Sequence, residues 1–294
     1  MKEKYLIIGK DSQIGSYFCT KYPNKIIGTT RRKDENLGES SFIYLNLEED
    51  ISQWNPPNGV TAAIILTAIT SIEKCQSDPL YARFINVKQT KKLIDILKLN
   101  KIFMVFPSTN QVFDGKTPYQ KIEDDISPQT EYGKNKADVE NYLLNNDVNC
   151  SIIRFSKIIS PENHLINSWI NNLKKGMPIY PFYDMVISPI PISLACSIIK
   201  IIMRDRICGI IQVSGLEDIP YSNVAYSIAE KLGYDKTLIQ PVSWKNSENP
   251  MIYVPEHTTL DTYRLTADLG IRIPNFDVII EEIIDHYEKP LSCL

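Results

Sequence analysis

Residues 5–15 of the chain read Y-L-I-I-G-K-D-S-Q-I-G, and this stretch is the most informative about the fold. Its first four residues form a short apolar run that is typical of a buried strand, and Ile14 begins a run with helical periodicity. Gly9 and Gly15 lie in and just after the tight turn between them. A strand, a glycine turn and a helix in this order are typical of a dinucleotide-binding fold, in which the N-terminus of the helix faces a phosphate.

Short β-rich runs alternate with helical patterns through the first half of the chain. Apolar strands joined by helices predict an α/β fold with a doubly wound parallel sheet, a Rossmann fold. After residue 156 prolines interrupt the pattern, so we predict a dinucleotide-binding domain over 1–156 and a smaller α/β substrate-binding region over 157–294, from which strands can return to the main sheet. The predicted strands are 5–8, 25–28, 42–45, 62–66, 102–106 and 151–155, and the predicted helices are 14–20, 79–97, 132–144, 194–203, 223–232 and 276–287.

Composition excludes several classes of protein. Hydrophobic residues make up 43% of the 294 residues and charged residues 23%, and the net charge is −3. This near-neutral balance gives no reason to expect a nucleic-acid partner. No apolar stretch reaches the ~18–20 residues that a membrane span needs, and the cysteines and three scattered histidines form neither a disulfide framework nor a metal site. We expect a cytoplasmic protein with no membrane partner.

The turn after the first strand supplies the first candidate cofactor contacts. Its spacing fits G-x-x-G-x-x-G, with Ser12 where glycine is usual. We expect Gly9, Ser12, Gln13, Ile14 and Gly15 to approach a pyrophosphate. The Cβ of Ser12 would point toward the phosphates, although its hydroxyl could also donate to one. An ordinary strand-turn-helix connection gives a similar pattern and stays open as an alternative.

Basic residues follow the second strand. An NAD site usually carries aspartate or glutamate here to bind the ribose hydroxyls, whereas this chain has Arg31 and Arg32, and arginine suits a 2′-phosphate. The sequence therefore favours NADP (NADPH) over NAD, with a solvated basic loop as the alternative. Asn46 and Leu47, after the third strand, are expected beside the adenine.

A tyrosine and a lysine four residues apart carry the chemistry. Tyr132 and Lys136 share one face of a predicted helix. The lysine ammonium is expected to lower the pKa of the phenol, which can then give a proton to a carbonyl oxygen while hydride reaches the carbon. Lys136 can also hold the nicotinamide ribose. Thr109, just beyond the fifth strand, supplies a hydroxyl that can fix the carbonyl.

Five segments together resemble the dTDP-4-dehydrorhamnose reductase family of extended short-chain dehydrogenases. The resemblance implies a Rossmann domain, NADPH, a homodimer, and reduction of the 4-keto group of a nucleotide-activated 6-deoxy sugar. It assigns the carbonyl-binding hydroxyl to Thr109, the proton donor to Tyr132 and the cofactor-orienting base to Lys136, and it adds Thr67 and Ala68 as cofactor contacts. The segments that carry it are Ser12–Gly15, Pro107–Gly115, Tyr132–Lys136, Ser188–Ile190 and Thr259–Pro274.

Departures from that family's pattern separate the alternatives. Asn110 and Gln111 are amides, so they cannot do the acid–base chemistry by which a related dehydratase removes water. A nucleotide-sugar epimerase keeps the Tyr132–Lys136 pair and stays open, as does a non-catalytic regulatory subunit that binds a dinucleotide, because Ser12 replaces a glycine. We rank the reductase first, the epimerase second and the regulatory subunit third.

Overall fold

The structure is a computed structural model that describes residues 4–23, 25–33, 42–246 and 253–288. The chain forms two compact units, each built from separate segments. The first unit contains residues up to Phe113, Asp125–Arg154 and Cys196–Ile211, and the second contains Asp114–Asp124, Phe155–Ala195 and the residues from Gln212 onward. The boundary proposed near residue 156 stays a prediction.

Eleven strands and ten α-helices are found among the described residues. The strands are β1 (Lys4–Ile8), β2 (Ile26–Thr30), β3 (Phe42–Tyr44), β4 (Val60–Ile65), β5 (Phe103–Thr109), β6 (Cys150–Phe155), β7 (Lys157–Ile159), β8 (Val186–Ile187), β9 (Pro189–Pro191), β10 (Gly209–Val213) and β11 (Ile219–Pro220). The helices are α1 (Gln13–Lys21), α2 (Ile72–Ser77), α3 (Pro79–Arg83), α4 (Thr90–Leu99), α5 (Glu131–Asn145), α6 (His164–Lys174), α7 (Ile192–Asp205), α8 (Tyr221–Lys231), α9 (Tyr263–Leu269) and α10 (Phe276–Glu288).

A seven-stranded sheet in the order β10-β6-β5-β4-β1-β2-β3 forms the centre of the first unit. Its β1–β2, β1–β4, β2–β3 and β4–β5 ladders are all parallel. Strand order turns back beside β1, as it does where a doubly wound sheet binds its ligand at the carboxyl ends of the strands. The predicted Rossmann fold is therefore confirmed.

Apolar strands and helix faces explain why these elements form in the first unit. Most residues of the central strands β1, β4, β5 and β6 are buried, which shows that both faces of the sheet are covered there. Helix α4 turns one apolar stripe toward the sheet, as its helical spacing predicts. The core residues include Leu6, Ile8, Ala63, Ile65, Leu93, Ile94, Leu97, Met104, Phe106, Val139, Leu143 and Ile152.

The helix predicted over 79–97 differs most from the structure. It begins earlier, as the short helices α2 and α3, and a π-helical segment, Phe84–Gln89, separates α3 from α4. Asp78 explains the first break, because its side chain caps α3 by accepting from the Tyr81 N–H and Pro79 then begins the helix.

The second unit is built from short elements around a core of its own. Strands β7 and β9 pair in parallel, and β8 and β11 pair antiparallel. Helix α6 lies in the region that prolines interrupt and was not predicted, yet its Trp169 and Ile170 are buried in the core of this unit. No helix within the described ranges combines the length and the apolar character needed to span a membrane.

Candidate functional site

A cavity of about 710 Å³ lies within the first unit at the carboxyl ends of β1, β2 and β4. Of the predicted cofactor contacts, seven line it: Gly9, Ser12, Arg31, Asn46, Leu47, Thr67 and Ala68. Its other walls come from the segment after β4 and from α2 and α3, including Lys74, Asp78 and Tyr81. The position matches the switch point of a doubly wound sheet, where such folds bind dinucleotides.

The remaining predicted contacts lie beside this cavity or apart from it. Gln13, Ile14 and Gly15 begin α1, and Arg32 follows β2, but none of the four lines the cavity. Tyr132, Lys136 and Thr109 are also absent from its walls. The structure thus brings the predicted adenine contacts together with two of the five predicted pyrophosphate contacts, Gly9 and Ser12. The predicted proton-transfer residues lie in a neighbouring part of the same unit.

Ser12 caps helix α1. Its Oγ accepts a hydrogen bond from the Gly15 N–H at 3.0 Å and donates to the Gly9 carbonyl oxygen at 2.8 Å. Its φ of −74° is ordinary for a residue with a side chain. The hydroxyl is therefore directed into the turn, where it satisfies one of the free amides at the start of the helix.

Gly15 allows the turn to close. A Cβ at this position would overlap the carbonyl oxygen of Gly9 and the Cα of Lys10. The turn is also fixed to β2, because the Gly9 N–H donates to the Thr29 hydroxyl at 3.0 Å and the Lys10 N–H to the Thr29 carbonyl at 2.9 Å. The backbone of this turn, at the end of the cavity lined by Gly9 and Ser12, is therefore fixed by hydrogen bonds within the unit.

Each base of the cluster after β2 is paired with a carboxylate. Arg31 lies 3.5 Å from Glu48, and Lys33 lies 3.1 Å from Glu49. Arg32 lies 3.9 Å from Asp11. The side chains of Arg31 and Arg32 are 72% and 65% exposed, so these pairs contribute little to stability.

Asp11 and Glu48 are cavity residues that were not predicted from the sequence. Asp11 accepts a hydrogen bond from the Thr30 hydroxyl at 2.8 Å, and Glu48 accepts one from the Tyr81 hydroxyl at 2.6 Å. Both carboxylates line the cavity. Asp11 could have been predicted from the sequence, because it is an acidic residue inside the glycine turn. No local pattern in the sequence marks Glu48.

Asn86 fixes the cavity segment that follows β4. It is buried in the π-helical segment, where its Oδ1 accepts from the Ile69 N–H at 2.7 Å and its Nδ2 donates to the Ile69 carbonyl at 2.9 Å. The Cys75 thiol donates to the same carbonyl at 3.3 Å. A π-helical turn often marks a functional site, and an asparagine between apolar neighbours was the sequence signal for it.

Helix α5 carries the predicted tyrosine–lysine pair. The Thr130 hydroxyl caps it by accepting from the Gly133 N–H at 3.0 Å. Tyr132 is partly buried and Lys136 is 7% exposed. The Lys136 ammonium donates to the Pro107 carbonyl oxygen at 2.6 Å, and it lies 4.5 Å from the centre of the Phe106 ring and 6.0 Å from that of the Tyr132 ring.

The pKa of Tyr132 shifts opposite to the expected direction. Burial raises the pKa of the Tyr132 phenol above its usual value, and the nearby Cys75 thiol adds to the effect. Burial also lowers the pKa of Lys136 to about 8, which Glu140 opposes.

Thr109 ends β5 next to the start of α5. The residue is 7% exposed, and its hydroxyl accepts a hydrogen bond from the Gln111 N–H at 3.2 Å. The Gln111 side-chain oxygen accepts from Thr130, the cap of α5, at 3.1 Å. A Cβ on Gly133 would overlap the Gln111 carbonyl oxygen, so this glycine lets α5 approach the turn after Thr109.

Comparison with known proteins identifies the family. Residues 3–289 match the family model for the RmlD substrate binding domain. The probable low-salt glycan biosynthesis reductase Agl14 of Haloferax volcanii is 23% identical over 225 residues, which cover 74% of this chain and 75% of that protein. Methionine adenosyltransferase 2 subunit beta of Rattus norvegicus is 25% identical over 223 residues, 70% of this chain and 64% of that protein.

Solved structures with the same fold cover almost the whole chain. A dTDP-4-dehydrorhamnose reductase of Clostridium acetobutylicum superposes with a TM-score of 0.84 at 21% identity over 97% of this chain and 100% of that one. The Bacillus anthracis dTDP-4-dehydrorhamnose reductase in complex with NADP gives 0.80 at 18% identity over 98% and 100%. The Thermus thermophilus UDP-glucose 4-epimerase complex with NAD gives 0.80 at 18% over 98% and 100%. The family match over residues 3–289 confirms the resemblance seen in the sequence, and the chain belongs to the RmlD substrate binding domain family.

Proposed function

We propose that this chain is a nicotinamide-dinucleotide-dependent reductase that acts on the 4-keto group of a nucleotide-activated 6-deoxy sugar. The observation that carries the proposal is the joint presence, in one unit, of a large cavity and the α5 site, formed by the partly buried Tyr132 and the buried Lys136. Family membership and the names of the relatives and neighbours, which include a glycan biosynthesis reductase and dTDP-4-dehydrorhamnose reductases, support the substrate class.

The residues of the cavity fit a dinucleotide. Gly9 and Ser12 would lie against the pyrophosphate, Asn46 and Leu47 beside the adenine, and Thr67 next to the ribose. When bound, the reduced nicotinamide supplies hydride to the carbonyl carbon. A neighbouring structure contains NADP and another contains NAD, which supports a nicotinamide cofactor of either kind.

NADPH is the reductant that we propose. Arg31 lies at the rim of the cavity, where its exposed guanidinium can leave the 3.5 Å contact with Glu48 and bind a 2′-phosphate. Exposed pairs of this kind contribute about 0–1 kcal/mol, whereas a charge-assisted hydrogen bond to a phosphate is stronger.

Tyr132, Lys136 and Thr109 divide the chemistry at the carbonyl oxygen. Tyr132 holds a proton at neutral pH, since an ordinary phenol has a pKa of about 10 and burial raises it here. It gives this proton to the oxygen as hydride reaches the carbon. Lys136 is charged below about pH 8 and stabilises the tyrosinate that results. Thr109 offers its hydroxyl to orient the carbonyl.

A direct test is oxidation of NADPH by the purified protein with dTDP-4-dehydro-6-deoxyhexose, and with the GDP, CDP and UDP analogues. We expect turnover with at least one sugar and a loss of about 10²–10⁴-fold in Tyr132→Phe, with dinucleotide binding unchanged. Tyr142→Phe, on the same helix but hydrogen-bonded to Asp95, is the matched control and should stay active. Full activity in Tyr132→Phe would exclude the assigned proton donor.

A regulatory subunit is the second candidate. Its support is the likeness to methionine adenosyltransferase 2 subunit beta and the serine in the glycine turn. Dinucleotide binding without turnover across the sugar panel would favour this function. If a tightly held NAD⁺ instead supported interconversion of sugar epimers, the epimerase would replace the reductase.

A further inference from the structure

The first unit buries an ion pair beneath the α5 site. Arg154, on β6, donates from Nη2 to Glu140 Oε2 at 2.8 Å and from Nε to both carboxylate oxygens at 3.2 Å. The two side chains are 3% and 1% exposed. The Arg154 guanidinium also lies 4.9 Å from the centre of the Phe113 ring. Neither side chain of this ion pair is open to solvent.

Stability alone does not account for such a pair. Removing two charges from water costs several kcal/mol each, and well-packed apolar residues in their place are often equally stable or more so. A buried ion pair therefore calls for a role other than holding the unit together. The chemistry of the neighbouring helix face supplies one.

Glu140 lies one helical turn after Lys136, so the two side chains share a face of α5. Tyr132 lies one turn earlier on that face. Burial lowers the pKa of Lys136, and Glu140 acts against this effect. At a site with little water a carboxylate on the same helix face favours the charged form of the lysine, and Cys75 acts in the same direction.

Other ionisable groups around α5 do not substitute for Glu140. Cys75, on α2, is buried and its pKa is raised by burial, so it is a neutral thiol at pH 7. Asp138 and Glu131 form ion pairs with Arg83 and Lys134. Asp95 of α4 accepts from the Tyr142 hydroxyl.

We propose that Glu140 is a positioning residue whose carboxylate keeps Lys136 protonated beside Tyr132, and that Arg154 holds this carboxylate in place. The inference rests on the proposed function for its kinetic consequence only. The electrostatic coupling between Glu140 and Lys136 exists whether or not a sugar is reduced.

Glu140→Gln tests the coupling because it removes the charge and nearly keeps the shape. We expect the alkaline limb of the kcat profile to move down by about one pH unit, with the KM for the sugar little changed. Arg154→Lys keeps the positive charge and is the matched control, with a smaller shift. In Glu140→Gln/Arg154→Met neither charge of the buried ion pair remains, so this variant should fold well. The alkaline limb of its kcat profile should still lie at a lower pH than in the parent.

A stability measurement tests the same coupling without any substrate. The pKa of Lys136 is lowered on folding, so the unfolded chain binds more protons between about pH 8 and 10.5 and the free energy of unfolding rises with pH there. Urea unfolding of the protein and of its Lys136→Met derivative isolates this contribution. In the Glu140→Gln background the rise should begin about one pH unit lower.

The two measurements separate the two proposals. A shifted unfolding profile without sugar turnover would retain the coupling and reject the reductase. Turnover with neither profile altered by Glu140→Gln would retain the reductase and reduce the ion pair to a structural feature. If Glu140→Gln fails to fold, Glu140→Gln/Arg154→Met is measured instead. If the alkaline limb of its kcat profile and the pH dependence of its unfolding free energy both match those of the parent, the proposal is wrong.

Discussion

The rim of the dinucleotide cavity and the interior below α5 both pair arginine with glutamate, yet the two pairs differ in kind. Arg31 and Glu48 are 72% and 45% exposed and meet at 3.5 Å. Arg154 and Glu140 are almost completely buried and meet at 2.8 Å through several hydrogen bonds. The arginine of an exposed pair can exchange its carboxylate for a ligand at little cost in free energy. The charges of a buried pair stay together and act on the neighbouring buried groups. The first arrangement suits binding and the second suits proton transfer.

The largest expected effect comes from removing the charge that the buried region maintains. Lys136→Met should lower kcat about 10²–10³-fold, because no cation then stabilises the tyrosinate. The same change should raise the thermal midpoint at pH 7, since a charged, buried lysine with a pKa of about 8 destabilises the folded state relative to a neutral side chain. The gain should vanish above about pH 10.5, where lysine is neutral in both states.

Lys134→Met is the control for this prediction. Lys134 lies two residues away, is 52% exposed and pairs with Glu131. Its replacement should change neither kcat nor the thermal midpoint by much. A Lys136→Met protein that is inactive and also less stable than the parent at pH 7 would mean that Lys136 is a structural residue, and the contrast between the two regions would fail.

A backbone change should have the next largest effect. In Gly133→Ala the new Cβ would overlap the Gln111 carbonyl oxygen, so α5 must move away from the turn that carries Thr109. We expect a loss of kcat of roughly 100-fold or more from the misplaced pair and a lower thermal midpoint. Gly176→Ala is the control. A Cβ at Gly176 meets no neighbour, although the φ of +68° strains a residue with a side chain, so this variant shows the effect of replacing a glycine without a steric clash. Equal kcat in both variants would contradict the role of Gly133.

Substitutions at the exposed rim of the cavity should have smaller effects, and these should appear only in the relative affinity for NADPH and NADH. Arg31→Ala should weaken NADPH binding about tenfold and leave NADH binding unchanged, whereas Glu48→Gln should tighten NADPH binding by freeing Arg31. Titration calorimetry measures the dinucleotide affinity of both variants. Two salt concentrations are used because salt screens exposed charges, so the contribution of Arg31 should be smaller at high salt. Arg204→Ala is the control, because Arg204 is 59% exposed and is likewise paired with a carboxylate, that of Asp205. Equal losses for NADPH and NADH would remove Arg31 from the 2′-phosphate site.

Local patterns in the sequence predicted the parts of this molecule that depend on neighbours along the chain. The strand–turn–helix at residues 5–15 and the four-residue spacing of Tyr132 and Lys136 belong to this class, and the structure has the corresponding elements. The seven predicted contacts that line the cavity follow from strand ends in a parallel sheet.

Long-range pairings could not be predicted from local patterns. Glu48 reaches Arg31 and Tyr81, and Arg154 reaches Glu140, only after the sheet has formed. The basic cluster at Arg31 and Arg32 therefore gave no sign of the carboxylates that neutralise it. The raised pKa of Tyr132 has the same origin, because burial is a property of the packed unit and not of the four-residue spacing on the helix.

The smallest effect is expected at Ser12, where binding and local folding meet. Its hydroxyl caps α1 through Gly15, and glycine at a cap position costs only a few tenths of a kcal/mol. Ser12→Gly should therefore leave stability almost unchanged and, by removing a Cβ from the cavity wall, tighten dinucleotide binding a few-fold. Ser12→Ala keeps the Cβ but loses the cap, so it should lower stability by about 1 kcal/mol without tightening binding. Weaker binding in Ser12→Gly would mean instead that the Ser12 hydroxyl turns from the Gly9 carbonyl to the phosphate when the dinucleotide binds. Ser12 would then exchange a protein partner for the ligand, as is expected of Arg31 at the exposed rim.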